Sequence, residues 1–223
     1  ITISHQSDAS FHQLYGSSIS TTVIYNGVPK HTPTHGFSLK QYQTTPNTKL
    51  LIMAAALSPV KNELAVAQAV KQLVDEGEDI ALVIIGRDAD KQYAQQIKDM
   101  TSQRIHYIGE VSNPVDYMRH GNYFVLASYF EGLPISLLEA LSVGCIPIVT
   151  PVGGCVDVVN DGRNGFIIAT QEKQDIYKTI KKVLHFPDQV IMAIKEQALF
   201  DANRYTISYC ANSYLSLYNR IKA

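Results

Sequence analysis

From about residue 49 onward, short runs of consecutive apolar residues alternate with stretches in which apolar positions recur every three or four residues. The runs are Leu50–Ala55, Ile80–Ile85, Ile105–Ile108, Tyr123–Ala127, Ile146–Val149 and Phe166–Ala169. They are nearly continuous, as strands buried on both faces are, and do not alternate as a half-exposed sheet does. Between them lie amphipathic stretches of crossover-helix length, for example Asn62–Glu76 and Lys91–Met100. Strand, helix and strand in this rhythm predict right-handed βαβ units and an α/β fold with a doubly wound parallel sheet. After Ala169 the chain reads as helical, with a break at Pro187 and a last helix near Thr206–Ile221. The first 48 residues differ. Ile1–Ser4 and Thr21–Tyr25 read as strands around a helix near Asp8–Tyr15, and residues 26–48 carry Gly27, Pro29, Pro33, Gly36 and Pro46, a turn-rich linker. The expected division is therefore residues 1–25 as the tail of a preceding domain, 26–48 as linker, and 49–223 as a Rossmann-like domain with C-terminal helices. The chain opens on Ile1, without a signal peptide's charged start and apolar core, which suggests a piece of something longer.

Composition narrows the function. With 223 residues, 46% of them apolar, the chain is long enough to bury a core without disulfide or metal staples. Nineteen Lys and Arg against twenty Asp and Glu leave a formal charge of −1. A nucleic-acid binder carries a basic excess, so nucleic acid is excluded as an expected partner. Charged residues are 17% of the chain, below the ~25% usual for soluble domains, which hints at covered surface. No apolar run approaches the ~18–20 residues of a membrane span. Cys145, Cys155 and Cys210 cannot all pair with one another and lack metal-site spacing, so a reducing cytosol is the simplest expectation.

Open parallel sheets bind ligands in a crevice outside the carboxyl ends of their strands, so the loops after the strands are where chemistry is expected. The most informative runs from Glu131 to Leu141, Glu-Gly-Leu-Pro-Ile-Ser-Leu-Leu-Glu-Ala-Leu. Pro134 suits the first turn of a helix, and Gly144 its left-handed end. The N–H groups of Ile135, Ser136 and Leu137 then lack helical partners, and an anion is attracted to such an end. Ser136, Glu139 and Ser142 form one polar stripe on an otherwise apolar helix. From spacing alone, a functional Glu131 and Glu139 are no better supported than a loop acid and a solvated one.

Glu131 and Glu139, embedded in that run, resemble the signature of retaining GT-B glycosyltransferases of the family 4 type. Further elements match in order. Tyr25-Asn26-Gly27-Val28 resembles the family's N-G-V element, and Leu57-Ser58-Pro59-Val60-Lys61-Asn62 resembles its L-S-P-x-K-N loop. Val152-Gly153-Gly154, Asp157 and the run Asp161-Gly162-Arg163-Asn164-Gly165 resemble its G-G-x-x-E…D-G-x-x-G stretch. The resemblance implies the donor-binding, C-terminal half of a GT-B fold, moving a sugar from a nucleoside-diphosphate sugar to a saccharide or lipid-linked acceptor. It implies that Lys61 binds the donor diphosphate and that Glu131 contacts sugar hydroxyls near the reacting carbon. The backbone of Gly132, Leu133, Pro134 and Ile135 would hold sugar and diphosphate, and Glu139 the ribose. The loop from Gly109 through Val111 to Asn113 would meet the base. No metal or other cofactor is implied, since cations and aligned amides stabilise the leaving diphosphate. The acceptor would sit on an absent N-terminal domain, through which alone a membrane would be touched, and the protein would be cytoplasmic or peripheral to the inner face of the membrane.

The sequence departs from the family in two places. Ala55-Ala56-Leu57-Ser58 stands where the family has G-R-L-S, so Ala56 replaces an Arg facing the diphosphate, and Arg87 is the candidate substitute by position. A catalytically weakened nucleotide-sugar-binding module is the alternative this raises. Asp157 stands where Glu is usual. Other features read plainly. Asp88-Ala89-Asp90 spells a metal-binding D-x-D but precedes a helix, where Asp90 suits the N-cap. Tyr205, Tyr209, Tyr214 and Tyr218 form a helical packing stripe, against a missing domain or the chain's own core. No G-x-G-x-x-G or P-loop motif occurs.

Overall fold

A computed structural model describes residues 1–222. Six parallel strands form one sheet: β1 (Lys49–Ala54), β2 (Ile80–Ile85), β3 (Ile105–Tyr107), β4 (Tyr123–Leu126), β5 (Ile146–Val149) and β6 (Phe166–Ile167). Their spatial order is β3-β2-β1-β4-β5-β6. The register sets Leu51 of β1 beside Leu82 of β2 and Tyr123 of β4. This is the doubly wound arrangement expected from the sequence. The crossovers are α2 (Glu63–Asp75), α3 (Lys91–Asp99), α4 (Pro114–His120) and α5 (Ile135–Ser142), with short α6 (Cys155–Val158) before β6. Helices α7 (Lys173–Leu184), α8 (Asp188–Ala202) and α9 (Ile207–Lys222) close the chain.

The continuous apolar runs are explained by the two layers they divide. Along β1, Leu51 and Met53 face one core, built with α2, α3 and α7; Leu50 and Ile52 face the other, built with α4, α5 and the end of α8. Phe124 of β4 is fully buried, and truncating such a residue to Ala costs about 3–5 kcal/mol. The local signals work as read. Asp90 caps α3 by accepting from the Tyr93 N–H at 3.0 Å, and Gly144 after α5 has φ 72°.

The N-terminal region is less regular than expected. Its helix, α1, spans His5–Tyr15, and the two flanking strands reduce to one isolated bridge between Thr2 and Val23. Too few residues pair there for a sheet of their own. Residues 1–48 nevertheless pack on the rest of the chain. Ile24, Val28 and Leu39 are buried, and a Cβ on Gly27 would lie 2.4 Å from the Thr206 carbonyl oxygen. The tyrosine stripe divides. Tyr205 is buried, but α9 has no buried residue, and Tyr209 and Tyr218 are exposed. Of the four tyrosines, the chain's own core therefore buries Tyr205 alone.

Candidate functional site

Chain direction across the sheet reverses between β1 and β4, so the loops leaving these two strands diverge and open a crevice. The structure ties the two loops together at their bases. The Tyr129 N–H donates to the Val60 carbonyl at 2.8 Å. The Asn62 amide donates to the carbonyls of Ala127 at 3.2 Å and Gln171 at 2.8 Å. Asn62 itself sits at φ 63°, a left-handed conformation that Asn tolerates because its short side chain bonds locally. That turn sets Lys61 on the rim. Its Nζ lies 2.8 Å from Glu131 Oε1, and the buried Ser128 hydroxyl donates to the same oxygen at 2.7 Å. Ser128 is fixed in turn, its carbonyl accepting from the Thr150 hydroxyl at 2.7 Å. Glu131 is only 8% exposed, and a carboxyl group so buried needs such partners to offset its lost hydration.

Beneath this pair lies a second acid with none. Glu63 opens α2, is fully buried, and neither of its carboxyl oxygens is hydrogen-bonded. Burial pushes it up to about 7, against the nearby Lys61 charge. One buried acid two residues after Lys61, and another bonded to Lys61 from 70 positions along the chain, mark this end of the sheet as electrostatically built.

The Gly132–Ile135 segment is shaped by close backbone packing. A Cβ on Gly153 would lie 1.9 Å from the Glu131 carbonyl oxygen, and Gly153 has φ 55°, so only glycine fits. Pro134 is the N-cap of α5, one place earlier than the first-turn position expected for it. The Leu137 N–H bonds back to the Pro134 carbonyl at 3.2 Å, a tight 3-10-type closure. Of the three amides expected to be open, Ile135 and Ser136 remain so among the described residues.

The remaining predicted residues fall around the same rim with different fates. Gly86 ends β2 so close to β1 that a Cβ there would lie 1.7 Å from the Ala55 carbonyl oxygen. The Leu57 N–H donates to the Arg87 carbonyl at 3.0 Å, so Arg87 lies alongside the Ala56 loop, its side chain exposed. Gly109 is pinned by its carbonyl to the Gly86 N–H at 2.9 Å. Val111 packs partly into the apolar core, and Asn113 donates its amide to Asp116 at 3.1 Å. Glu139 is half-buried on α5, makes no hydrogen bond to Lys61 or Glu131, and lines a separate cavity of about 230 Å³. Burial raises its carboxyl pKa, opposed by the nearby His31.

Asp157 accepts from the His5 N–H at 2.7 Å, capping α1. Asp88 bonds Lys98 at 2.6 Å and also the Tyr107 hydroxyl, and Asp90 is the α3 cap, so both acids of the D-x-D are engaged. The described residues contain no cluster of three His, Cys, Asp or Glu placed to hold a metal. Sequence reasoning missed Ser128, Asn62 as a loop clamp, Glu63 and the pair of His31 and Asp116. Asn62 stands in the Leu57-to-Asn62 motif without a role there, and the others have no periodic or spacing signal, because their surroundings come from residues distant in sequence.

A family model described as glycosyl transferases group 1 matches residues 37–199, well over half of the chain. The chain belongs to this family. Among its relatives is the Campylobacter jejuni N,N'-diacetylbacillosaminyl-diphospho-undecaprenol alpha-1,3-N-acetylgalactosaminyltransferase, 30% identical over 140 residues, or 63% of this chain and 37% of that protein. Another is an Escherichia coli UDP-Gal:alpha-D-GlcNAc-diphosphoundecaprenol alpha-1,3-galactosyltransferase, 29% identical over 66% of this chain and 39% of that protein. The chain thus spans less than half the length of these relatives. In fold it is similar to Anabaena Alr3699/HepE in complex with UDP, with a TM-score of 0.82 at 20% identity, covering 98% of this chain and 63% of that one. The group 1 family therefore agrees with the GT-B, Rossmann-like architecture expected from the motifs.

Proposed function

We propose that this chain is the donor-binding part of a retaining glycosyltransferase, moving a sugar from a nucleoside-diphosphate sugar to a saccharide or lipid-linked acceptor. The observation that carries the reading is the Lys61–Glu131–Ser128 cluster, placed at the β1/β4 switch point beside the start of α5. Lys61 has three N–H donors, so one ammonium can hold Glu131 and still offer N–H groups to a diphosphate. Glu131, oriented by that pair, suits contact with sugar hydroxyls near the reacting carbon. The open amides of Ile135 and Ser136, with the α5 dipole, suit a phosphate oxygen. As the glycosidic bond breaks, negative charge grows on the leaving diphosphate, and these fixed donors stabilise it without a metal. Glu139 takes the ribose, and the Gly109–Asn113 backbone the base.

Support for the acceptor class comes from the relatives, whose names place diphospho-undecaprenol-linked sugars as their acceptors. The acceptor would be held by a further N-terminal domain, and the protein would work in the cytoplasm or at the inner membrane face. No helix among the described residues is long and apolar enough to cross a membrane. Ala56 favours a second reading, a nucleotide-sugar-binding module with weakened catalysis. Calorimetric titration with UDP, GDP and ADP tests the first claim: one should bind, and failure of all three overturns the donor reading. For the full-length polypeptide, NMR of the product with the donor that binds should show retained anomeric configuration; binding without turnover selects the module.

A further inference from the structure

The segment between Val28 and β1 carries polar groups to which the donor reading gives no role. Asp116, in the first turn of α4, is 1% exposed and faces four donors. They are His31 Nε2 at 2.8 Å, the Thr34 N–H at 3.1 Å, the Asn113 amide at 3.1 Å and the Thr34 hydroxyl. Burial raises the Asp116 pKa, but these hydrogen bonds outweigh it and hold the carboxyl at about 2. A carboxylate only accepts, so His31 Nε2 must carry the hydrogen. That fixes the ring and leaves Nδ1, which makes no hydrogen bond among the described residues.

The His31 side chain is only 15% exposed, and it shares a cavity with Glu139. That cavity, about 230 Å³, is lined by Pro29–Thr32, Val115, Glu139 and Ser142. It is smaller than the ~300–1,000 Å³ of a whole ligand site, so it suits one ring of a larger ligand. Asn113, at the end of the expected base loop, bonds the same Asp116 that holds His31. Base loop and imidazole are thus joined through one buried carboxylate, and the imidazole shares its cavity with the ribose acid.

We propose that His31, oriented by Asp116, grips the ribose of the nucleotide together with Glu139, each accepting a hydrogen bond from one of its two vicinal hydroxyls. The proposal rests on the donor reading, to which it adds a ligand residue on the Pro29–Thr32 segment and a basis for choosing ribose over deoxyribose. His31 is a binding residue and Asp116 a positioning residue.

The test is calorimetric titration of the chain with whichever of UDP, GDP and ADP binds, and with its 2′-deoxy and 3′-deoxy forms. The parent should prefer the ribonucleotide over each deoxy form by about tenfold. His31→Ala should lose about tenfold for the ribonucleotide and lose discrimination against one deoxy form, Glu139→Ala against the other. Affinity for inorganic pyrophosphate should be unchanged in both. Asp116→Asn, offering Nε2 an amide in place of a carboxylate, should weaken the ribonucleotide selectively. His31→Gln, which supplies an acceptor, should restore part of the preference. If His31→Ala melts before titration, the His31→Gln and Asp116→Asn ratios decide, and parent-like ratios in both overturn the proposal. A His31→Ala variant that keeps the parent's ratios while Glu139→Ala loses its own also overturns it and leaves the donor reading standing. If no nucleotide binds the parent, the donor reading fails and takes the proposal with it.

Discussion

The two ends of the sheet make an instructive contrast. At the amino end, a cavity of about 590 Å³ opens between the ends of α2 and α3 and the start of β3, lined by Lys71, Asp75, Asp99, Met100 and Arg104 among others. It is more than twice the volume of the one that holds Glu139, at about 230 Å³. Yet its charges pair off locally: exposed Lys71 with Asp75 four residues on at 2.6 Å, and half-buried Arg104 with Asp79 at 2.6 Å. At the carboxyl end the polar groups are buried, convergent and tied by loops from different strands. Convergent chemistry locates the site, and volume does not.

The sharpest way to break this contrast is to remove the acid at its centre. Glu131→Gln keeps the shape but loses the charge that Lys61 and Ser128 hold. Sugar transfer by the full-length polypeptide should fall by about 10²–10³, the scale for losing one preorganised electrostatic contact. A fall below tenfold, with the thermal midpoint unchanged, would place Glu131 outside the reaction.

The second prediction concerns the electrostatic cost of the carboxyl end. Glu63 has a folded pKa of about 7 against an ordinary value of 4.5. Below pH 4.5 both folded and unfolded chains hold its proton, and no penalty arises. Between 4.5 and 7 the folded chain keeps a proton that the unfolded chain releases, so stability falls as pH rises, and above 7 the penalty is constant. Glu63→Gln should therefore match the parent near pH 4.5 and exceed it by about 2–3 kcal/mol at pH 8, read by urea denaturation. A difference that does not grow with pH would show that Glu63 is solvated or paired in solution.

Much of this was legible in the sequence, for identifiable reasons. The runs Leu50–Ala55 and Ile80–Ile85 were legible because a parallel strand must be apolar on both faces, and the α3 start because Asp90 must satisfy an orphan N–H. Lys61 and Glu131 stood out because their loops carry compact motifs. What stayed hidden depends on distant partners. Nothing local distinguishes Ser128, whose role comes from the fold of the loop that brings it under Glu131. His31 looked like one of several linker histidines until α4 brought Asp116 to it, 85 positions along the chain. Glu63 carries no local signal of its burial, which comes from the strands and helices packed around it. Ile1–Ser4 and Thr21–Tyr25 misled because each has strand-like composition but only one bridging pair to make.

Smaller effects sharpen the contrast further. If Arg87 stands in for the cation absent at Ala56, Arg87→Ala should weaken nucleoside-diphosphate binding several-fold and Ala56→Arg should recover part of it, with nucleoside binding unchanged. Equal affinities across parent and both variants would make Arg87 a plain surface residue. The smallest effect belongs to the amino end. Arg104→Ala should leave nucleotide affinity within about twofold and cost about 1–2 kcal/mol of stability, as losing a half-buried charge-assisted bond does. A large loss of nucleotide binding there would reverse the assignment of the two ends.

The central claim is that Lys61 meets a diphosphate at the switch point, and one comparison addresses it directly: the affinities of parent and Lys61→Ala for UDP and for uridine, by calorimetry, or for the GDP or ADP pair if that base is preferred. The account predicts a ten- to hundred-fold loss for the diphosphate, about 1.5–3 kcal/mol for a charge-assisted contact, with the nucleoside unaffected. An equal loss for both ligands, or none for either, would contradict it.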